Sequence, residues 1–146
     1  MTALDVKDVM TRDPRTVPST ATVFDVYEAM VAGPFHHLPV VEGRLPVGIV
    51  SDRDVFQHMP SLSPARIDPQ AHGEFMRRRV VDVMTANPFT VPEDESLETA
   101  ITLMTVNNFN AVLVVDGQQA LTGIVTTFDI SMTLLKILRG EIAAGK

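Results

Sequence analysis

The chain says one thing twice. GIVSDRD at residues 48–54 returns as GIVTTFD at 123–129, and VMTRDPRTVP at 9–18 returns as VMTANPFTVP at 83–92. A shift of 74 positions lays Val9 on Val83, Met30 on Met104, Phe35 on Phe109 and Gly43 on Gly117. One extra residue near Gln118 to Ala120 makes the shift 75 from there on, so that Gly48 falls on Gly123. Repeats of this kind are single supersecondary units that cannot bury their apolar faces alone. The copies must therefore share cores.

Each copy spells the same order of elements. Asp-Val-Met at 8–10 and again at 82–84 predicts a short helical turn, stopped by Pro14 and Pro88 because the residue before a proline leaves the helical region. Thr16 with Val17, and Thr90 with Val91, form a short extended piece closed by Pro18 and Pro92. Val23, Val26, Tyr27 and Met30 then make a helical stripe, repeated by Leu97, Ala100, Ile101 and Met104. Thr22 with Asp25 three later has the form of a capping box. Apolar strands follow at 38–41 and 111–115, turns at Glu42-Gly43 and Asp116-Gly117, and second strands at 46–50 and 121–125. Helices close the copies at 52–58 and 127–138, and residues 130–144 carry a last amphipathic helix with Leu134, Leu135, Ile137 and Leu138, stopping at Gly140. The order helix, strand, helix, strand, strand, helix predicts an α/β (α+β) fold, in which two copies pack sheet to sheet as a pseudo-two-fold pair. Repeat 1 is expected over residues 1–60, a linker over 61–77, and repeat 2 with its C-terminal helix over 78–146. The wider stretch 57–79 holds three prolines, one glycine and no periodicity, so it reads as loop.

Composition removes several function classes. Cysteine is absent, so there is no disulfide framework, thiolate metal site or cysteine nucleophile, and a reducing cytoplasm is the expected compartment. MTALDVKDVM lacks a signal peptide's basic start and apolar core, and no apolar run reaches the ~20 residues of a membrane helix. Net charge is -6 and aromatics are 5%, which argues against a nucleic-acid partner. No G-x-S-x-G, P-loop, G-x-G-x-x-G or H-E-x-x-H motif is present, so an enzyme is not expected. His36 and His37 are adjacent, point to opposite faces of a strand and have no further ligand beside them, so no metal is expected.

The ordered set VMT-x-x-P-x-TVP, amphipathic helix, LPVV-x-G and GIVS-x-x-D, occurring twice, resembles the cystathionine-β-synthase (CBS) domain. Two in tandem resemble a stand-alone Bateman module over nearly the whole chain. The resemblance implies a regulatory sensor of an adenosine ligand (AMP, ADP or ATP), which pairs as a homodimer, signals to an effector protein and needs no catalytic cofactor. It implies clefts between the copies, framed by Thr16, Val17, His37, Leu38 and Pro39 in the first and by Thr90, Val91, Asn110, Ala111 and Val112 in the second. It also implies that Ser51 and Thr126 approach a phosphate while Asp54 and Asp129 approach ribose hydroxyls. Alternatives are an S-adenosylmethionine or NAD(H) binder, and a dimerisation scaffold that binds no ligand.

The residues carry both a structural and a ligand role. Ser51-x-x-Asp54 and Thr126-x-x-Asp129 are capping patterns, in which the hydroxyl accepts from an amide three residues on. The same carboxylates can accept from a ribose diol at the carboxyl end of a strand, where open α/β sheets bind ligands. Arg53 supplies a cation inside the first motif, where the second has Phe128. Arg77, Arg78 and Arg79 are offered as further phosphate contacts. The copies diverge at His36/Asn110 and Pro39/Leu113, so their affinities are expected to differ.

Overall fold

The computed structural model describes residues 3–33, 35–60 and 68–143. It confirms a mixed α+β architecture of two compact units: one formed by Met1–Pro14 with Phe89–Lys146, the other by Arg15–Pro88. The units do not coincide with the written repeats. Each repeat gives its opening segment to the unit built mainly from the other.

The unit Arg15–Pro88 contains β2 (Val17–Pro18), α2 (Val23–Ala32), β3 (His37–Glu42), β4 (Leu45–Ser51), α3 (Asp52–His58), α4 (Pro69–Arg77), a 3₁₀ turn (Val80–Asp82) and β5 (Thr85–Ala86). Its sheet runs β2-β3-β4-β5, with β2 parallel to β3 and the other pairs antiparallel. The other unit contains α1 (Val6–Val9), β1 (Thr11–Arg12), β6 (Thr90–Pro92), α5 (Leu97–Asn107), β7 (Ala111–Val115), β8 (Leu121–Thr126) and α6 (Thr127–Leu138). Its sheet runs β1-β8-β7-β6, with β6 parallel to β7.

The exchanged segments do two jobs. Thr11 and Arg12 pair with Ile124 and Gly123 and cover the free edge of β8; Thr85 and Ala86 do the same for β4. Val6 and Met10 enter the cluster of Val91, Ala100, Met104, Val112, Val114 and Val125. Val80 and Val83 enter that of Val17, Val23, Val26, Leu38, Val40 and Val50. The expected single strand before each amphipathic helix is thus two strands, one for each unit. Proline does not end the opening turns. The chain goes extended at Met10, and the residues before Pro14 and Pro88, Asp13 and Asn87, take left-handed φ of 47° and 53°, a region Asp and Asn tolerate best among non-glycine residues.

The expected linker is in part a helix. Asp68 caps α4, accepting from Gln70 N at 3.0 Å, Pro69 occupies the first helical position and Phe75 is buried in the core. A proline there is favourable, since its missing N–H would be unsatisfied anyway. Residues 61–67 of that linker lie outside the described residues, as does Ala144 at the end of the expected last helix. The segment from Ile130 is not a separate helix: α6 is continuous from Thr127, and Arg139 and Gly140 (φ 72°) end it.

The capping box at α2 forms as expected. Asp25 N donates to Thr22 Oγ1 at 3.2 Å, and Thr22 N donates to Asp25 Oδ2 at 2.9 Å. Thr22→Ala should lower stability by about 1 kcal/mol, read in thermal melts as a fall in Tm of roughly 2–4 °C for a chain of this size.

Candidate functional site

Two rims stand out, one in each unit, where a strand hands over to a helix. In the first, Ser51 ends β4 in extended conformation (φ -113°, ψ 164°) and Asp54 lies three residues on. Ser51 N and Ser51 Oγ donate to Asp54 Oδ2 at 2.8 and 3.0 Å, and Asp54 N donates to Ser51 Oγ at 3.1 Å. The structural role is therefore real. Among the described residues no hydrogen bond reaches Asp54 Oδ1, so one carboxylate oxygen remains for a ligand.

Ionisable side chains crowd this rim. His37 pairs in register with Ser51. His36 Nδ1 lies 3.0 Å from Asp52 Oδ2, and Asp52 N donates to His36 O at 3.1 Å. Burial would raise the Asp52 carboxyl, but the His36 hydrogen bond and the Arg53 backbone N–H outweigh it and hold it below the usual range. Burial pushes the half-buried His37 imidazole down. Asp52 and Asp54 oppose this, whereas His36 and Arg53 add to it.

The second rim repeats the geometry. Thr126 N and Thr126 Oγ1 donate to Asp129 Oδ2 at 2.7 and 2.9 Å, and Asp129 N donates to Thr126 Oγ1 at 3.3 Å. Ala111 stands opposite Thr126, and Thr127 N donates to Asn110 O at 3.0 Å. Here the second carboxylate oxygen is occupied: Thr11 Oγ1, from the exchanged segment, donates to Asp129 Oδ1 at 3.0 Å. A ligand diol would have to displace that hydroxyl.

The structure divides the other expected residues. Val17, Leu38, Pro39, Val91 and Val112 are core residues, 6% exposed or less, so little of their side chains reaches the surface. Thr16 is half-buried just before β2. Thr90 and Val91 line a cavity of about 580 Å³ with Lys7, Glu93, Asp116 and Gln119, toward the end of β7 away from Thr126. Arg77, Arg78 and Arg79 are exposed but do not join the Ser51 rim of their own unit. Arg79 bridges Thr22 and Arg78 O accepts from Val23 N, at the start of α2. Ser19 N, in the turn leading there, donates to Val41 O, whereas Ser51 faces His37 at the other end of β3. Six residues of strand separate those ends, about 17 Å.

Two features escaped the motif. Thr11 reaches Asp129 only because the opening segment joins the other repeat's sheet; its recurrence as Thr85 was the available signal. Asp52 partners His36 through the strand-to-helix handover, which its place one residue after Ser51 implied. Among the described residues, no cluster of three or more His, Cys, Asp or Glu could hold a metal ion, and no helix is long and apolar enough to cross a membrane.

The family model for the CBS domain matches residues 6–61 and 80–136. The chain is 27% identical over 134 residues to a homoserine O-acetyltransferase of Methanocorpusculum labreanum, covering 91% of this chain but 25% of that protein. It thus spans about a quarter of the curated enzyme's length. Among solved structures, CBSX2 of Arabidopsis thaliana in complex with AMP is 28% identical with a TM-score of 0.78, covering 92% of this chain and 99% of that one. The CBS domain pair of protein MJ0100 in complex with 5′-methylthioadenosine and S-adenosyl-L-methionine is 26% identical with a TM-score of 0.73, covering 90% and 99%.

Proposed function

The chain belongs to the CBS-domain family, and from that premise we propose that it is a regulatory sensor of an adenosine-containing small molecule, bound at the Ser51–Asp54 and Thr126–Asp129 rims. The observation that carries this reading is that among the described residues no hydrogen bond reaches Oδ1 of the half-buried Asp54, whose other oxygen is already held by the cap. Such a carboxylate is oriented before a ligand arrives, and a ribose diol supplies the donors it lacks. The AMP-bound and S-adenosylmethionine-bound relatives support the ligand class. The chain performs no chemistry on the ligand. It reports occupancy to an effector protein in the cytoplasm through a change of shape or of dimer geometry, and ligand shifts that balance only by its difference in affinity for the two forms.

A homodimer fits the outer surface of α6. Phe128, Met132, Leu135 and Leu138 follow one another at three- and four-residue steps and are 70%, 39%, 36% and 74% exposed. The same face suits the second reading, a dimerising scaffold without a ligand. A thermal-shift screen with AMP, ATP, NADH and S-adenosylmethionine separates the two. At a hundredfold excess over Kd a true ligand adds ~2.7 kcal/mol, or roughly 5–10 °C in Tm. Parent-like melting with all four compounds would leave the scaffold.

A further inference from the structure

The opening segment sits in a well-defined seat. Val6 N and Lys7 N donate to Glu95 O and Glu93 O at 2.8 and 3.1 Å, Leu97 N donates to Leu4 O at 2.9 Å, and Thr11 and Arg12 pair with Ile124 and Gly123. Val6 and Met10 are buried among Val91, Ala100 and Val125. The other unit has a seat of the same kind, filled by residues 80–86. Val6, Asp8, Val9, Met10 and Thr11 recur there as Val80, Asp82, Val83, Met84 and Thr85. In both units the seat is filled by a segment that the other repeat supplies. The fit therefore lies in the pattern V-x-D-V-M-T and not in its place along the chain.

The link out of the first seat is short and strained. Only Asp13 and Pro14 stand between β1 and the start of the Arg15–Pro88 unit. Asp13 N is held on Thr122 O at 3.1 Å, so the chain must turn at the next torsion, and Asp13 does so with a left-handed φ of 47°. That conformation costs any residue but glycine. Pro14 has its own φ fixed by the ring and cannot share the turn. Short hinges under strain favour exchange of a segment between copies, because the exchanged chain runs on without turning back.

We infer that this seat also accepts the opening segment of a second copy, so that two chains pair by reciprocal exchange of residues 5–12 about the hinge Asp13–Pro14. Exchange keeps β8 covered in each copy. It also places Thr11 of one copy on Asp129 of the other, in the contact that the single chain makes with itself. This interface is distinct from the outer face of α6 and depends on no ligand. A chain's own segment competes at an effective concentration of roughly millimolar, so exchange belongs to concentrated protein and grows with hinge strain.

The chain has no cysteine, so one engineered pair is unambiguous. Thr11 and Ile124 are partners in register, and antiparallel partners lie about 4.5–5.5 Å apart, within the span of a disulfide. Light and ¹⁵N-labelled chains carrying Thr11→Cys and Ile124→Cys are refolded together from urea, dilute and concentrated, then oxidised. In the dilute sample the bridged peptide should be all light or all heavy. In the concentrated sample a light–heavy bridge should appear, with a covalent dimer on a non-reducing gel that pairing through α6 would not give. Adding Asp13→Gly, which takes positive φ freely, should lower the mixed share about fivefold or more, and Asp13→Val should raise it by a similar factor. Bridges confined to single chains at every concentration, or no bridge at all, overturn the exchange. Sedimentation of the cysteine-free Asp13→Gly and Asp13→Val chains reads the same balance with the seat untouched. Dimer should fall in the first and rise in the second, and a dimer fraction equal to the parent's in both overturns the proposal.

Discussion

Asp54→Ala should lose adenosine-ligand affinity by between tenfold and a hundredfold while remaining folded, because hydrogen bonds to a charged acceptor are worth about 1.5–3 kcal/mol each. The side chain has two separable roles. Oδ2 is spent on Ser51 N and Oγ, and losing that cap costs about 1 kcal/mol of stability. Oδ1, which no hydrogen bond reaches among the described residues, is the oxygen proposed for the ligand, and losing it should cost affinity. Asp54→Asn keeps an acceptor for the cap but loses the charge, so it should melt near the parent and still bind more weakly. Asp129→Ala should behave differently. It removes a cap and also the Thr11 Oγ1 contact that ties β1 down, so more of its effect should appear in stability. Calorimetric titration with AMP and with 5′-methylthioadenosine, beside thermal melts of each variant, separates the terms. Parent-like affinity for both compounds in both alanine variants would mean that the two aspartates are caps and nothing else.

How far this was legible from the residues depends on the range of the signal. The bounds of α3 and α6, the Thr22–Asp25 cap and the turn at Gly43 rest on chemistry within four residues, and the chain carries it openly. The acid at each rim was legible for the same reason. Pro69 misled: in a stretch with three prolines it reads as a loop residue, yet after Asp68 it is a good helix start. The exchange of opening segments could not be read locally. Thr11 and Arg12 are too short for an alternating pattern, and VMT fits either copy's core equally well because the copies are alike. Only the pairing of Thr11 with Ile124 decides it. The contrast between His36–Asp52 and Asn110–Thr127 was visible as letters. That the first pair is in contact was not.

The exchange itself makes the largest stability prediction. Gly123, on β8 opposite Arg12, lies under the Met10 side chain. A Cβ there would stand 2.5 Å from Met10 Sδ, 3.0 Å from its Cγ and 3.0 Å from Thr11 O. A methionine tail can turn aside, but a backbone oxygen cannot move without the strand. Thr11 is held on both sides, by its hydroxyl on Asp129 and by Asp13 N on Thr122 O at 3.1 Å. Gly123→Ala should therefore cost about 3 kcal/mol, the upper end for overpacking, even after the smaller gain from restricting the unfolded chain. Gly48→Ala meets Met84 in the same way but no backbone atom within that distance, so it should cost less, about 1–2 kcal/mol. Urea unfolding reads both. Adding Met10→Ala to Gly123→Ala should recover part of the loss, with a coupling of at least ~1 kcal/mol, and Met84→Ala should do the same for Gly48→Ala. Strict additivity in both cycles would mean that the methionines do not cross the glycines, and with that the assignment of each opening segment to the other repeat's sheet would fail. Because Thr11 moves with β1, Gly123→Ala should also release Asp129 Oδ1. If the Thr126–Asp129 rim holds an adenosine ligand, a variant that is less stable yet binds that ligand at least as tightly as the parent is the expected result, since the ligand no longer has to displace the threonine.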